Sequence, residues 1–283
     1  MRKERNKTVV NSFNSRMSKV SIAFLVLTVF VFAGYRVYET VLTDKTSPFV
    51  TAPPTILEAS VSVSDEELLT GVKAVDDKDG DISDTLMVEK MSSISQDDSR
   101  IVYYIALDKH NNVGRAQRTL HYTDYELPVF SMDYGCFIVK INQTIDIMNY
   151  ISAYSNLDGD LSSFVKYSFD SMLDTSTLGE YPVQFYVTDS GGGVSKLDTN
   201  LVVVSDSDLH ENIKLNTYLV YLNVGDEFNP DDYVIGDSYE GKLSIESDVN
   251  LSQKGTYNVD YYVTNTTNYN TYKGRTRLIV IVR

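Results

Sequence analysis

The chain repeats one turn pattern three times, at intervals of about 80 residues. The pattern is Asp-Gly-Asp followed by an aliphatic residue and Ser at residues 79–83 and 158–162, and it recurs as Glu-Gly-Lys-Leu-Ser at residues 240–244. A second motif, which begins with an aromatic residue and ends in Asp or Asn, follows each copy at residues 104–108, 185–189 and 261–265. Two motifs that recur in one order at a similar spacing indicate three tandem copies of one folding unit.

A two-residue period surrounds the second motif. In the third copy Val259, Tyr261 and Val263 alternate with more polar residues, and residues 181–188 repeat this alternation in the second copy. Such alternation of β-branched and aromatic residues is typical of half-buried strands. We find no convincing amphipathic helix after residue 40. Further strands are predicted at residues 59–64, 114–122, 137–141, 198–204, 217–222 and 275–282.

These strands predict the fold class. A unit of about 80 residues with roughly seven short antiparallel strands buries its apolar faces best as two packed sheets. The sequence therefore predicts an all-β chain of three tandem β-sandwich domains, preceded by one N-terminal transmembrane helix. We place the three domains at residues 55–124, 125–206 and 207–283.

An uncharged apolar stretch at residues 20–35 lies between Lys19 and Arg36. As a helix it would be about 24 Å long, against about 30 Å for a bilayer core, and the two flanking cations can reach the lipid surface. Basic residues precede the stretch and should stay in the cytoplasm. The prediction is a cytoplasmic basic tail at 1–19, a membrane-spanning signal anchor at 20–38 and a Pro-rich linker at 39–54.

A cleaved signal peptide is the alternative interpretation of this N-terminus. Residues 31–33 (VFA) resemble a cleavage site, although the apolar stretch is longer than a usual signal core. Both interpretations export residues 40–283. We thus expect either a single-pass protein of the bacterial cell membrane with its C-terminal region outside, or a secreted protein. No Leu-Pro-x-Thr-Gly motif is present, so sortase attachment is not expected.

Charge and cysteine content limit the partners. The chain has a net charge of −14, but residues 1–19 carry six basic side chains against one acidic side chain. The remaining chain therefore has 19 basic against 38 acidic groups, so the exported part should repel nucleic acid. The one cysteine, Cys136, excludes an internal disulfide framework and is expected to be a small buried apolar residue.

The two motifs together resemble the bacterial immunoglobulin-like (Big-type) repeats of Gram-positive cell-surface proteins. The resemblance covers about residues 50–283 and implies immunoglobulin-like sandwiches at the cell surface, without implying one ligand. The third copy departs from the pattern at its turn and at its final Asn. The matching segments are 54–56 (PTI), 79–83 and 104–108, then 127–129 (LPV), 158–162 and 179–189, then 240–244 and 255–265.

The acidic turns suggest a candidate metal site. Oxygen side chains at i, i+2 and i+4 resemble the start of a calcium loop, although glycine stands at its fourth position and no acid at its twelfth. Turn chemistry alone also explains Asp and Gly at these positions, and the altered third copy favours that simpler interpretation. The candidate calcium ligands are Asp77, Asp79, Asp81 and Asp108 in the first copy, and Asn156, Asp158, Asp160 and Asp189 in the second. No other cofactor is expected.

No sequence motif predicts catalysis. His110, His121 and His210 fall outside the repeated core pattern, and the acidic pairs are expected to be solvated surface charge. The leading hypothesis is a non-enzymatic surface protein on an extended stalk, which serves adhesion or binds a ligand such as a cell-wall or host glycan or a protein. Its contacts would be loops and exposed tyrosines such as Tyr269 and Tyr272. A structural spacer or assembly partner of another envelope protein is the alternative, and a glycan-active enzyme is a remote third.

Overall fold

The N-terminal part of the chain is one long helix. The computed structural model describes residues 2–39, 44–205, 213–236, 239–264 and 272–283, and it opens with helix α1 (Arg2–Val37). The segment Met17–Val37 has a mean hydropathy of 2.1, and none of it is buried against the rest of the described chain. By length and composition it is suited to span a membrane, and a signal sequence would satisfy the same criteria.

Beyond α1 the described chain is mostly β, which confirms the predicted fold class. The first stretch forms a three-stranded sheet, ordered β1-β3-β4, and a four-stranded sheet, ordered β2-β7-β6-β5. Its strands are β1 (Phe49–Thr51), β2 (Leu57–Ala59), β3 (Lys73–Asp76), β4 (Gly80–Asp81), β5 (Met87–Met91), β6 (Ser99–Leu107) and β7 (Val113–Tyr122).

One segment of this stretch departs from the prediction of a strand at residues 59–64 and of no helix after residue 40. β2 ends at Ala59, and a short helix α2 (Asp65–Leu68) follows. Ser64 caps it: its side chain accepts from the N–H of Glu67, whose side chain accepts from the N–H of Ser64. In this capping box, side chains of the same segment accept from backbone N–H groups that, in a strand, would need a partner on a neighbouring strand.

The second stretch also contains two sheets, ordered β11-β10-β8 and β12-β13-β14-β9. The consecutive strands β8 and β9 lie in different sheets, and β9 runs parallel to β14 while β8 pairs antiparallel with β10. A first strand that changes sheet in this way is typical of immunoglobulin-like sandwiches. The strands are β8 (Val129–Met132), β9 (Phe137–Lys140), β10 (Ile151–Ser155), β11 (Gly159–Asp160), β12 (Lys166–Phe169), β13 (Gly179–Thr188) and β14 (Val194–Val204).

The last stretch repeats the larger of these sheets. Its order is β15-β18-β17-β16, and β15 runs parallel to β18 as β9 does to β14. Leu215 and Val234 form an additional isolated antiparallel bridge. The strands are β15 (Leu219–Leu222), β16 (Lys242–Ser247), β17 (Gly255–Thr264) and β18 (Tyr272–Val282).

The predicted two-residue period matches the burial of the long strands. On β13, Val183, Phe185 and Val187 are buried, and on β17 Val259 and Tyr261 are fully buried. Because successive side chains of a strand point to opposite faces, each strand places one set in the core. The Phe185 ring packs edge-to-face on that of Phe137, with 6.0 Å between centroids.

The chain divides into two compact units. The first comprises residues 1–57, 64–91 and 101–119, and the second comprises residues 58–63, 92–100 and 120–283. Residues 129–204 and 219–282 therefore belong to one unit. The division into three domains at 55–124, 125–206 and 207–283 stays a prediction.

Candidate cation site at the repeated turns

Each Asp-Gly-Asp motif forms a tight hairpin, between β3 and β4 in the first copy and between β10 and β11 in the second. Gly80 and Gly159 have φ of +77° and +79°, a left-handed conformation that favours glycine. The residue before each loop caps it. Asp76 Oδ1 accepts from the N–H groups of residues 78 and 79, both at 2.9 Å, and Ser155 Oγ accepts from that of Leu157 at 3.1 Å.

The last aspartate of each motif caps the turn that follows. Asp81 accepts from the N–H of Ser83 at 3.0 Å, and Asp160 accepts from the N–H and hydroxyl of Ser162 at 2.9 and 2.6 Å. Hydrogen bonds from these serines lower the pKa of Asp81 and that of Asp160. Both candidate ligands are thus engaged in holding their own loops, as turn chemistry predicts.

The first aspartate of each motif joins it to the second motif. Asp79 accepts from the backbone N–H and the ammonium group of Lys109 at 3.0 and 2.9 Å, and these bonds lower its pKa. Asp158 accepts from the backbone N–H and hydroxyl of Ser190 at 2.7 and 2.6 Å. The two motifs, 30 or more positions apart in sequence, therefore meet in space in both copies.

The aspartates that end the second motifs, Asp108 and Asp189, are both 6% exposed. Asp108 Oδ1 accepts from the N–H groups of His110 and Asn112, both at 2.8 Å, and Oδ2 from the Asn112 amide at 2.6 Å. Burial raises the pKa of Asp108, but these hydrogen bonds outweigh it and the net pKa is lowered. Asp189 accepts from the N–H of Gly193 and from the hydroxyl of Tyr125, both at 2.7 Å.

The two remaining predicted ligands are exposed. The Asn156 side chain accepts from the N–H of Glu126 at 3.3 Å and donates to the carbonyl of Asp124, so it holds the chain that enters the second stretch. Asp77 lies beside Asp44 and Asp76, with one ligand atom of each within 4.8 Å of the others.

Sequence reasoning missed two aspartates beside the first turn, Asp44 and Asp76. Asp76 occupies an inward position of β3, where Lys73, Ala74, Val75 and Asp76 alternate between exposed and buried. A charged residue at a core position of a strand is the signal that could have identified it. Asp44 lies in the predicted linker, where no local pattern indicates burial. Hydrogen bonds from Thr46 lower the pKa of Asp44 to about 2.

The structure also describes the surroundings of Cys136 and His121, which the sequence analysis named. Cys136 is 4% exposed, and its burial raises the pKa of the thiol to about 11. His121 Nδ1 lies 2.6 Å from a carboxylate oxygen of Glu58. His210, Asn265 and Tyr269, and the side chain of Tyr272, lie outside the described residues.

Comparison with known proteins gives only a partial likeness. No protein-family model matches the sequence. The pesticidal crystal protein Cry22Aa of Bacillus thuringiensis is 27% identical over 209 residues, which cover 68% of this chain and 27% of that protein. The chain therefore spans about a quarter of the length of this curated relative.

Solved structures show similarly distant likenesses. CBM51-2 and INT domains of Clostridium perfringens ZmpB, solved in complex with GlcNAc, are 15% identical with a TM-score of 0.27, over 55% of this chain and 41% of that chain. Human CDH23 EC21–23 is 14% identical with a TM-score of 0.20, over 84% of this chain and all of that chain. At such scores, the strand topology described above is what assigns the fold.

Proposed function

We propose that this protein is a membrane-anchored bacterial surface protein that binds a cell-wall or host glycan without catalysis. The observation that carries the proposal is the exposed apolar helix Met17–Val37, joined to a chain of β-sheets. A helix with no buried residue in this window would leave its apolar side chains in water unless lipid covers them. The basic residues before it favour an orientation with the N-terminus in the cytoplasm and the sheets outside.

Topology is tested by labelling single cysteines in a Cys136→Ala background. Met172 is 93% exposed, so Met172→Cys should react with a membrane-impermeant maleimide on intact cells. Asn11→Cys, in the basic N-terminal segment, serves as the matched control and should react only after permeabilisation. Labelling of both on intact cells, or of neither, would contradict the proposed orientation. The intact mass of the exported protein distinguishes a retained anchor from a cleaved signal peptide.

A groove within the second compact unit supports glycan binding. It has a volume of about 530 Å³, within the range of small-molecule sites. Tyr221 and Arg283 line one side of the groove, with the Arg283 guanidinium over the Tyr221 ring, 4.1 Å from its centroid. Glu126, Lys196 and Asn223 add exposed polar groups at the rim. Polar side chains that converge on a groove of this size suit the hydroxyls of a sugar.

A glycan array tests this groove with the full chain in detergent. Lys196→Ala and Asn223→Ala should each weaken binding of the retained glycans, because they remove polar contacts at the rim. Lys166→Ala is the matched control, since Lys166 is also an exposed lysine, on β12 and outside the groove. Equal binding by all three variants would exclude the groove as the glycan site.

A structural spacer is the second candidate function, and two contacts inside the second compact unit favour it. Tyr221 accepts from the N–H of Phe130 at 2.8 Å, and Arg275 pairs with Glu180. These contacts connect residues 129–204 with residues 219–282 and would limit bending between them. Recovery of a stoichiometric envelope protein from membranes, together with no binding on the glycan array, would support the spacer and contradict glycan binding.

A further inference from the structure

Three buried aspartates lie together beside the first turn. Asp44, Asp76 and Asp108 are 2%, 4% and 6% exposed. Each pair of them has ligand atoms within 4.8 Å of one another in at least one of three overlapping groups. The residues that complete these groups are Asp77, Asp79 and His110. Carboxylates packed so closely out of water require positive charge nearby.

Two carboxylate oxygens in this cluster lack partners. Asp44 Oδ2 and Asp76 Oδ2 are buried and accept no hydrogen bond from the part of the chain that the structure describes. The Oδ1 atoms, in contrast, each accept two: Asp44 from Thr46, and Asp76 from the backbone of its own loop. A buried carboxylate oxygen without a donor is unfavourable, and a cation at this position would stabilise both oxygens.

Nearby lysines do not fill this role. Lys78 Nζ lies 3.4 Å from Asp44 Oδ1, and Lys109 Nζ lies 2.9 Å from Asp79 Oδ1. Their side chains are 46% and 79% exposed, and neither donates to an unpartnered Oδ2 atom. The lysines therefore neutralise the outer part of the cluster and leave its buried oxygens without a positive partner.

We propose that Asp44, Asp76 and Asp108 bind one calcium ion, with Asp77 and Asp79 at its edge. Carboxylate oxygens suit a hard cation, and ligands about 2.4 Å from calcium lie at most about 4.8 Å apart, as the ligand atoms within each of the three groups do. Asp44 precedes β1, Asp76 ends β3 and Asp108 follows β6. The ion fastens the segment that follows α1 to the first repeat. This inference does not depend on the proposed surface function.

The second copy shows what replaces the ion. Ser155 stands in the position of Asp76, which removes one buried carboxylate. Tyr125 donates its hydroxyl to Asp189, the counterpart of Asp108. A neutral donor therefore satisfies the carboxylate of the second copy, and the proposal is for a single ion at the first turn.

Equilibrium dialysis with radioactive calcium tests the proposal on the full chain in detergent. One ion per chain is expected. Asp76→Ser, which introduces the residue of the second copy, should weaken binding at least about tenfold, and Asp44→Asn should act in the same direction. The matched control Asp158→Asn, at the second turn, should leave calcium affinity unchanged. Circular dichroism confirms that each variant folds.

Proteolysis provides a second measurement, because bound calcium should hold the predicted linker against the first repeat. Calcium should slow tryptic cleavage after Lys45, whose side chain is 64% exposed and adjoins Asp44. No calcium bound by the wild-type chain would overturn the proposal even if the variants failed to fold. Unchanged affinity in folded Asp76→Ser and Asp44→Asn, or cleavage at Lys45 that ignores calcium in a chain that binds it, would overturn it equally.

Discussion

Removal of the Tyr125 hydroxyl tests the contribution of one buried hydrogen bond. It donates to Asp189 Oδ2 at 2.7 Å, and Asp189 is 6% exposed. Burial and this bond raise the pKa of Tyr125, so the phenol stays protonated as a donor. Tyr125→Phe deletes the donor and keeps the ring, which lies 6.5 Å from that of Tyr122 between centroids.

The expected cost of Tyr125→Phe comes from the charged acceptor. A hydrogen bond to a charged group contributes about 1.5–3 kcal/mol, and a buried acceptor left unpaired loses that contribution in full. Asp189 keeps its bond from the N–H of Gly193, at 2.7 Å, so the loss is partial. We expect a decrease of about 2 kcal/mol in the free energy of unfolding, or about 4–8 °C in Tm for a unit of this size.

Urea unfolding of the full chain in detergent, followed by far-UV circular dichroism, measures this difference. Tyr154→Phe is the matched control, because Tyr154 is 57% exposed. The control should change stability by less than about 0.5 kcal/mol. If Tyr125→Phe is no more destabilising than the control, the reasoning is refuted. Water would then replace the phenol hydroxyl as the donor to the Asp189 carboxylate.

Three further outcomes follow from the described contacts. Gly135→Ala should destabilise by about 1–3 kcal/mol in urea, because the added Cβ would overlap the backbone carbonyl of Arg277, whereas Gly236→Ala, with open space around it, should be neutral. With a thiol pKa of about 11, Cys136 should resist a disulfide reagent at pH 8 until urea unfolds the chain; rapid reaction in the native state would contradict its burial. The pKa of Asp44 is lowered to about 2 and that of Asp108 is also lowered, so the folded state binds these protons more weakly than the unfolded state. The Tm should therefore fall as the pH drops from about 4 through about 2. A Tm that stays constant over this window would refute the predicted direction.

Local sequence patterns predicted the strands well where one face is buried. Phe185 and Tyr261 lie in the core as their two-residue period indicates, because alternation along a strand is a property of the backbone itself. The same local reasoning failed at residues 65–68. There the capping pair of Ser64 and Glu67 satisfies backbone donors within the segment, so the chain forms a turn of helix where none was predicted, and the strand predicted at residues 59–64 ends at Ala59.

The candidate site was only half visible in the sequence. The sequence analysis named Asp79 and Asp108 as candidate ligands of one site, and the structure places ligand atoms of both in one group. Asp44 could not be found in this way, because its burial depends on a distant loop in which the Asn112 amide donates to the Asp44 carbonyl at 3.2 Å.

The sequence alone determined the apolar N-terminal segment, the all-β class and the repeated turns, since each of these depends on residues close together in the chain. Tertiary structure decided which carboxylates are buried together and which have a protein partner. Asp108 and Asp189 end equivalent motifs, yet Asp44 and Asp76 lie beside one and Tyr125 beside the other. Desolvation and charge pairing depend on whatever lies within a few ångströms in space, and only the folded chain determines those neighbours.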